Sequence, residues 1–144
     1  MKYIRKFILT GTNHLFIIYV SDQKRSRDFY SALFDSNPVL DETGMTIFQL
    51  PGSEIQLGIM PEKGIAGILG DKVPDPGLRN GIPGCEIYLF VSDPDKFFLK
   101  AVMLNAVPVS EGSSRNWGDY AAYVSDPDGH IIAFAKKITD EENN

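Results

Sequence analysis

The chain alternates between two kinds of apolar spacing. Residues 15–20, Leu-Phe-Ile-Ile-Tyr-Val, form a β-branched and aromatic run that predicts a strand. Ser21 or Asp22 then stands where a helix cap belongs. Phe29, Tyr30 and Leu33 follow three and four apart, which predicts a helix. Asn37-Pro38 stops it. Residues 39–40, 46–50 and 54–59 read as three strands, separated by the turn residues Glu42-Thr43-Gly44 and Pro51-Gly52. The order then starts again. Residues 86–91 predict a strand, and Ser92-Asp93-Pro94 a capped helix start with proline in its first turn. Phe97, Phe98, Ala101 and Leu104 mark the buried face of that helix, and residues 108–110, 120–124 and 130–135 predict three more strands.

Local matches support the repeat. Val20-Ser21-Asp22 recurs as Val91-Ser92-Asp93, Pro38-Val39 as Pro108-Val109, and Gly44 as Gly118. Gly52-x-x-Ile55-x-Leu57 recurs as Gly129-x-x-Ile132-x-Phe134, all in the same order. The unit is βαβββ, used twice, so the fold class is α+β in a single domain. Module one covers about 13–60, a connecting loop 61–83, module two about 84–137 and a short tail 138–144. Val-Ser-Asp-Pro-Asp opens a helix at 91–95; at 124–128 Gly129 follows it, which predicts a turn between strands. The loop 61–83 is rich in glycine and proline and reads either as a lid or as a plain linker. Ile65, Ile68 and Leu69 are apolar residues that a plain linker does not need.

Composition narrows the functions. The 144 residues are 43% hydrophobic and 23% charged, as in one compact globular domain. A net charge of −5 provides no basic footprint, so neither nucleic acid nor a membrane surface is an expected partner. No apolar run approaches the roughly 18 residues of a membrane span. The basic and apolar start, Lys2 to Leu9, is broken by Thr10-Gly11-Thr12-Asn13-His14 too early for a signal peptide. Cys85 stands alone and permits no intrachain disulfide, so the expected location is the cytoplasm. Ser113-Ser114 has no histidine or aspartate set beside it for a hydrolase triad.

Tyr19-Val20-Ser21-Asp22, followed by Arg25-Ser26-x-Asp28-Phe29-Tyr30, resembles the opening of the vicinal oxygen chelate superfamily. That superfamily includes glyoxalases, bleomycin-resistance proteins, fosfomycin-resistance enzymes and extradiol dioxygenases. Trp117-Gly118, with Asp126-Pro127-Asp128-Gly129-His130, resembles its second-module hallmark. The resemblance implies paired βαβββ modules forming a U-shaped mixed sheet around a cleft, often completed by dimerisation. In metal-using members, the first and last strand of each module each supply one ligand. The usual set is His or Gln, Glu or Gln, His, then Glu. Motif spacing carries the first position to Leu15 and the second to Gln56; their repeat mates are Glu86 and Ala133. Leucine and alanine have no donor atoms, so the chain is nearest to metal-free, bleomycin-resistance-like members and no cofactor is expected. The alternative is a glyoxalase-type lyase or isomerase, or a dioxygenase-like enzyme, holding a divalent metal on His14, Gln56 and Glu86. It needs a β-bulge to turn His14 inward, because side chains alternate along a strand. His130 is expected to serve its turn.

Alternation also sorts the strand residues. Phe16, Ile18, Ile55, Leu57, Ile87, Leu89, Ile132 and Phe134 are purely apolar and should pack under the helices. The other face mixes apolar, aromatic and polar groups, which suits a small organic ligand, aromatic or cationic. Its candidate contacts are Tyr19, Gln56, Met60, Tyr88 and Phe90. Trp117 and Tyr120, near the hallmark, are placed to stack on a planar ligand. Packing is the other reading of Trp117, and the sequence does not decide which face Tyr120 takes. Arg115 either binds an anionic group or neutralises Glu86. Glu86 is the candidate catalytic residue, because a carboxylate in an apolar cleft must be paired or protonated. It meets a cationic ligand group or acts as a general base; otherwise Arg115 or solvent satisfies it. A homodimer is expected, since each module leaves an open sheet edge. Residues 1–12 are a further candidate edge cover. The expected function is small-molecule binding in a metal-free cleft, with catalysis left open.

Overall fold

The computed structural model describes Leu9, Gly11 and residues 14–139. The suggested edge cover at 1–12 therefore lies outside the described residues apart from Leu9 and Gly11, as does the tail beyond 139. The first module contains β1 (Leu15–Val20), α1 (Gln23–Phe34), β2 (Leu40–Glu42), β3 (Met45–Gln49) and β4 (Gln56–Pro61). The second contains β5 (Glu86–Phe90), α3 (Pro94–Met103), β6 (Val107–Ser114), β7 (Asp119–Ser125) and β8 (Ile131–Lys137). The strands form two mixed sheets of four, ordered β1-β4-β3-β2 and β5-β8-β7-β6. In each, the first strand pairs in parallel with the last and the remaining pairs are antiparallel. Two βαβββ units are therefore present.

The segment expected to be a loop departs from that reading. It contains a further helix, α2 (Glu62–Leu69), and a 3-10 turn at Pro76–Arg79. Gly64 and Gly67 each lower helix propensity by about 1 kcal/mol, which hides the helix from local inspection. Packing against β1 and β4 outweighs that, with Ile65 buried. Pro61 precedes the first turn, where its missing N–H leaves no bond unmade, and Gly70 ends the helix at φ +64°. β6 also runs past residue 110, through two shifts of register against β7.

Asp22 caps α1 by accepting the Arg25 N–H at 3.0 Å, and Asp93 caps α3 through the Lys96 N–H at 3.2 Å. Ser26, Phe29, Tyr30 and Leu33 then fall on one buried stripe of α1. A single core joins that stripe to Ile18, Val20, Phe48, Leu57 and Ile59 of the first sheet and to Val124, Ile132 and Phe134 of the second. Of the residues assigned inward, Phe16 and Ile55 stay exposed: Phe16 is near the start of the edge strand β1, and Ile55 precedes β4.

Polar contacts lock the modules in register. On the turn after β7, Asp126 accepts the Tyr30 O–H at 2.6 Å and the N–H groups of Asp128 and His130. Asp128 accepts from the N–H and hydroxyl of Ser21 and from the Ser26 hydroxyl at the start of α1. His130 Nε2 donates to the Tyr19 carbonyl at 2.9 Å, so this histidine braces β1. At the other end of α1, the Lys100 ammonium donates to the Leu33 carbonyl and pairs with Asp35. No helix among the described residues is long and apolar enough to cross a membrane. Tyr30→Phe removes one hydrogen bond to a buried carboxylate and should lower stability by about 1.5–3 kcal/mol. Urea denaturation checks this through a lower midpoint at unchanged m-value.

Candidate functional site

Because the helix-bearing face of each sheet is spent on the shared core, the opposite, open face carries the remaining chemistry. On the first sheet, β1 and β4 pair so that Leu15 lies opposite Gln56, Ile17 opposite Gly58 and Tyr19 opposite Met60. Leu15 and Ile17 close over Gly58, where a Cβ would meet both side chains. The Gln56 amide donates to the Gln49 carbonyl oxygen at 3.1 Å, so it already has a partner on its own sheet.

The second sheet is richer. Tyr88 donates its O–H to Asp119 Oδ2 at 2.7 Å and accepts the Trp117 indole N–H at 2.9 Å. The Tyr88 and Phe90 rings meet edge to face, 5.5 Å apart. Lys137 Nζ stands 5.0 Å from the centre of the Phe90 ring and 3.9 Å from Asp119 Oδ1. Asp119 is buried, while Phe90 is 58% and Trp117 56% exposed. The result is an apolar aromatic surface with one fixed carboxylate. Burial chiefly pushes the Tyr88 phenol up, with Asp119 adding and the Trp117 N–H opposing. Burial also raises Tyr123, and the nearby Glu86 carboxylate adds to it.

Other expected site residues fall elsewhere. Tyr120 sits on the helix side of β7, with its hydroxyl on the Asp95 carboxylate at the start of α3. Strand parity puts Ala121 and Tyr123 on the open face and Tyr120 opposite them. Glu86 is exposed at the first position of an edge strand, so the buried apolar setting expected of it is absent. It forms no ion pair with Arg115. The Arg115 guanidinium lies 5.1 Å above the Tyr123 ring and donates to the Ser110 hydroxyl and to the carbonyls of Glu111 and Ala121. It satisfies carbonyls beside the register shifts of β6. His14 is exposed before β1, and its carbonyl accepts the Gln56 N–H. Tyr19, Gln56 and Met60 thus belong to one sheet, and Tyr88, Phe90, Arg115 and Trp117 to the other. Among the described residues no hydrogen bond or ring contact joins the two groups.

The strand registers leave the fourth position without a donor. Gln56 lies opposite Gln49 as Ala133 lies opposite Tyr123, and Glu86 lies opposite Ile131 on the same strand as Ala133. Of Leu15, Gln56, Glu86 and Ala133, two lack donor atoms. That donor set does not suit a divalent metal. Asp119, Tyr123 and Lys137 were missed from sequence. Alternation along 119–125, with Ala122 and Val124 inward, was the signal that places the first two.

A family model described as Glyoxalase/Bleomycin resistance protein/Dioxygenase superfamily matches residues 11–134. An uncharacterised protein of Mycobacterium bovis is 27% identical over 131 residues, covering 84% of this chain and 80% of its own. A glyoxalase-related enzyme from Fulvimarina pelagi superposes with a TM-score of 0.71 at 20% identity, over 85% of this chain and 86% of that one. A glyoxalase/bleomycin resistance protein/dioxygenase from Nocardioides gives 0.72 at 15% identity, over 93% and 88%.

A phenol raised in the folded state keeps its stabilising contribution below its ordinary value of 10.0 and loses it as pH climbs through the folded value. Trp117 is the only tryptophan, so its emission reports on the Tyr88 bond. The emission should hold steady up to pH 10.0 and change above it, and Tyr88→Phe should remove that step.

Proposed function

Because the chain belongs to the glyoxalase/bleomycin resistance protein/dioxygenase superfamily, we propose that it binds a small organic ligand, aromatic or cationic, without a metal. The open face of the second sheet is the binding surface. Membership does not choose among reactions, since one fold hosts many. The observation that carries the reading is the pairing of exposed Phe90 and Trp117 with the buried Asp119 carboxylate. Large aromatic groups left in water beside a fixed polar group are the usual make-up of a ligand surface. Leu15 and Ala133 at two of the four strand positions favour binding without a metal. The setting is the cytoplasm, in keeping with a single, exposed cysteine.

The binding form is a homodimer. In the single chain β1 and β5 are open edges, with Phe16 and Ile17 of β1 and Phe90 of β5 exposed on them. A second copy laid against these edges covers the unpaired backbone groups and gives the open face a wall.

A panel of cationic antibiotics and aromatic amines, followed by Trp117 quenching and by calorimetry, should reveal saturable binding. Phe90→Ala should weaken it about tenfold. A panel in which no member gives heat or quenching overturns the reading. Light scattering at micromolar concentration should return twice the chain mass of 16.0 kDa; the mass of one chain removes the dimer.

A further inference from the structure

Asp119 and Lys137 are direct neighbours across β7 and β8, yet the two ends of the pair are unequal. The carboxylate side chain is 6% exposed, and the Tyr88 hydroxyl holds its Oδ2. The ammonium side chain is 78% exposed and stands 3.9 Å from Oδ1, beyond hydrogen-bond distance. An ion pair with one solvated, long-stemmed partner contributes little and opens readily. The same ammonium stands over the face of Phe90. Tyr88 is set edge-on to Phe90, and its hydroxyl carries the Trp117 indole. A fixed carboxylate and an aromatic face thus meet at one cation, and Tyr88 and Trp117 brace that corner from behind. These are the surroundings that recognise organic ammonium groups. A primary ammonium keeps strong hydration, which makes it a poor occupant beside an alkylated one.

Resting on the binding reading above, we propose that this corner is a subsite for an alkylammonium group of the ligand, and that Lys137 occupies it until the ligand arrives. The lysine head swings into solvent without disturbing the core, because its side chain is already largely exposed. The incoming group takes the face of Phe90 and the field of Asp119. Lys137 therefore acts as a competing internal cation that sets the affinity threshold.

The test uses the full chain, with choline as the cationic probe and 3,3-dimethylbutan-1-ol as its uncharged isostere, both read by Trp117 fluorescence. Choline should bind about tenfold more tightly to Lys137→Met than to the wild type. Lys137→Arg should bind choline no more tightly than the wild type, because the less hydrated guanidinium also occupies an aromatic face, and the alcohol should bind wild type and Lys137→Met alike and more weakly than choline. Equal choline affinity in wild type and Lys137→Met overturns the proposal, as does an alcohol that binds as well as choline. If choline fails while aromatic members of the panel still quench Trp117, the subsite falls and the broader reading stands. If nothing binds, both fall.

Discussion

Asp126 and Asp128 reach from one turn of the second module into the first helix. Their oxygens accept the Tyr30 O–H, the Ser21 N–H and hydroxyl and the Ser26 hydroxyl, besides two N–H groups of their own turn. Both carboxylates are largely withdrawn from water, so each unmatched oxygen there would be costly. Burial pushes the Asp126 carboxyl up, and the Tyr30 O–H works against it. The turn also leaves no room for a side chain at Gly129, where a Cβ would collide with the Gly81 carbonyl. The segment linking the modules thus passes directly over the joint that binds them.

That joint decides what each sheet can do. Once Tyr30 is committed to Asp126, α1 packs its stripe against both sheets at once, and Phe29, Tyr30, Phe34 and Phe48 form a chain of ring contacts. The helix-bearing faces are used up. Polar and aromatic groups that remain have only the open faces and the strand edges to occupy. On the second sheet the Tyr88 hydroxyl organises them, as donor to one side chain and acceptor from another.

Arg115 illustrates how the same residue serves structure where function was expected. Its donors go to carbonyls beside the irregular part of β6 and its plane to Tyr123, so it holds the strand that borders the site. Glu86, expected in an apolar cleft, sits in water at an edge. The chemistry of the face has moved to Asp119, one residue from the Tyr120 that the sequence offered.

The repeat, the strand and helix order, the capping aspartates and the inward apolar set were legible along the chain, because they follow from periods of two and 3.6 and from local backbone demands. His130 as a turn residue was legible for the same reason. α2 was not, since Gly64 and Gly67 argue against a helix that only packing supplies. Nor were the Tyr88–Asp119 bond and the Lys137–Phe90 contact, which join residues far apart in sequence. The sequence by itself determined the alternation along the strands, though not the face of Tyr120 or the exposure of Phe16 and Ile55. Only the tertiary structure decided which residues meet, because contacts across strands depend on how β5, β7 and β8 are laid side by side.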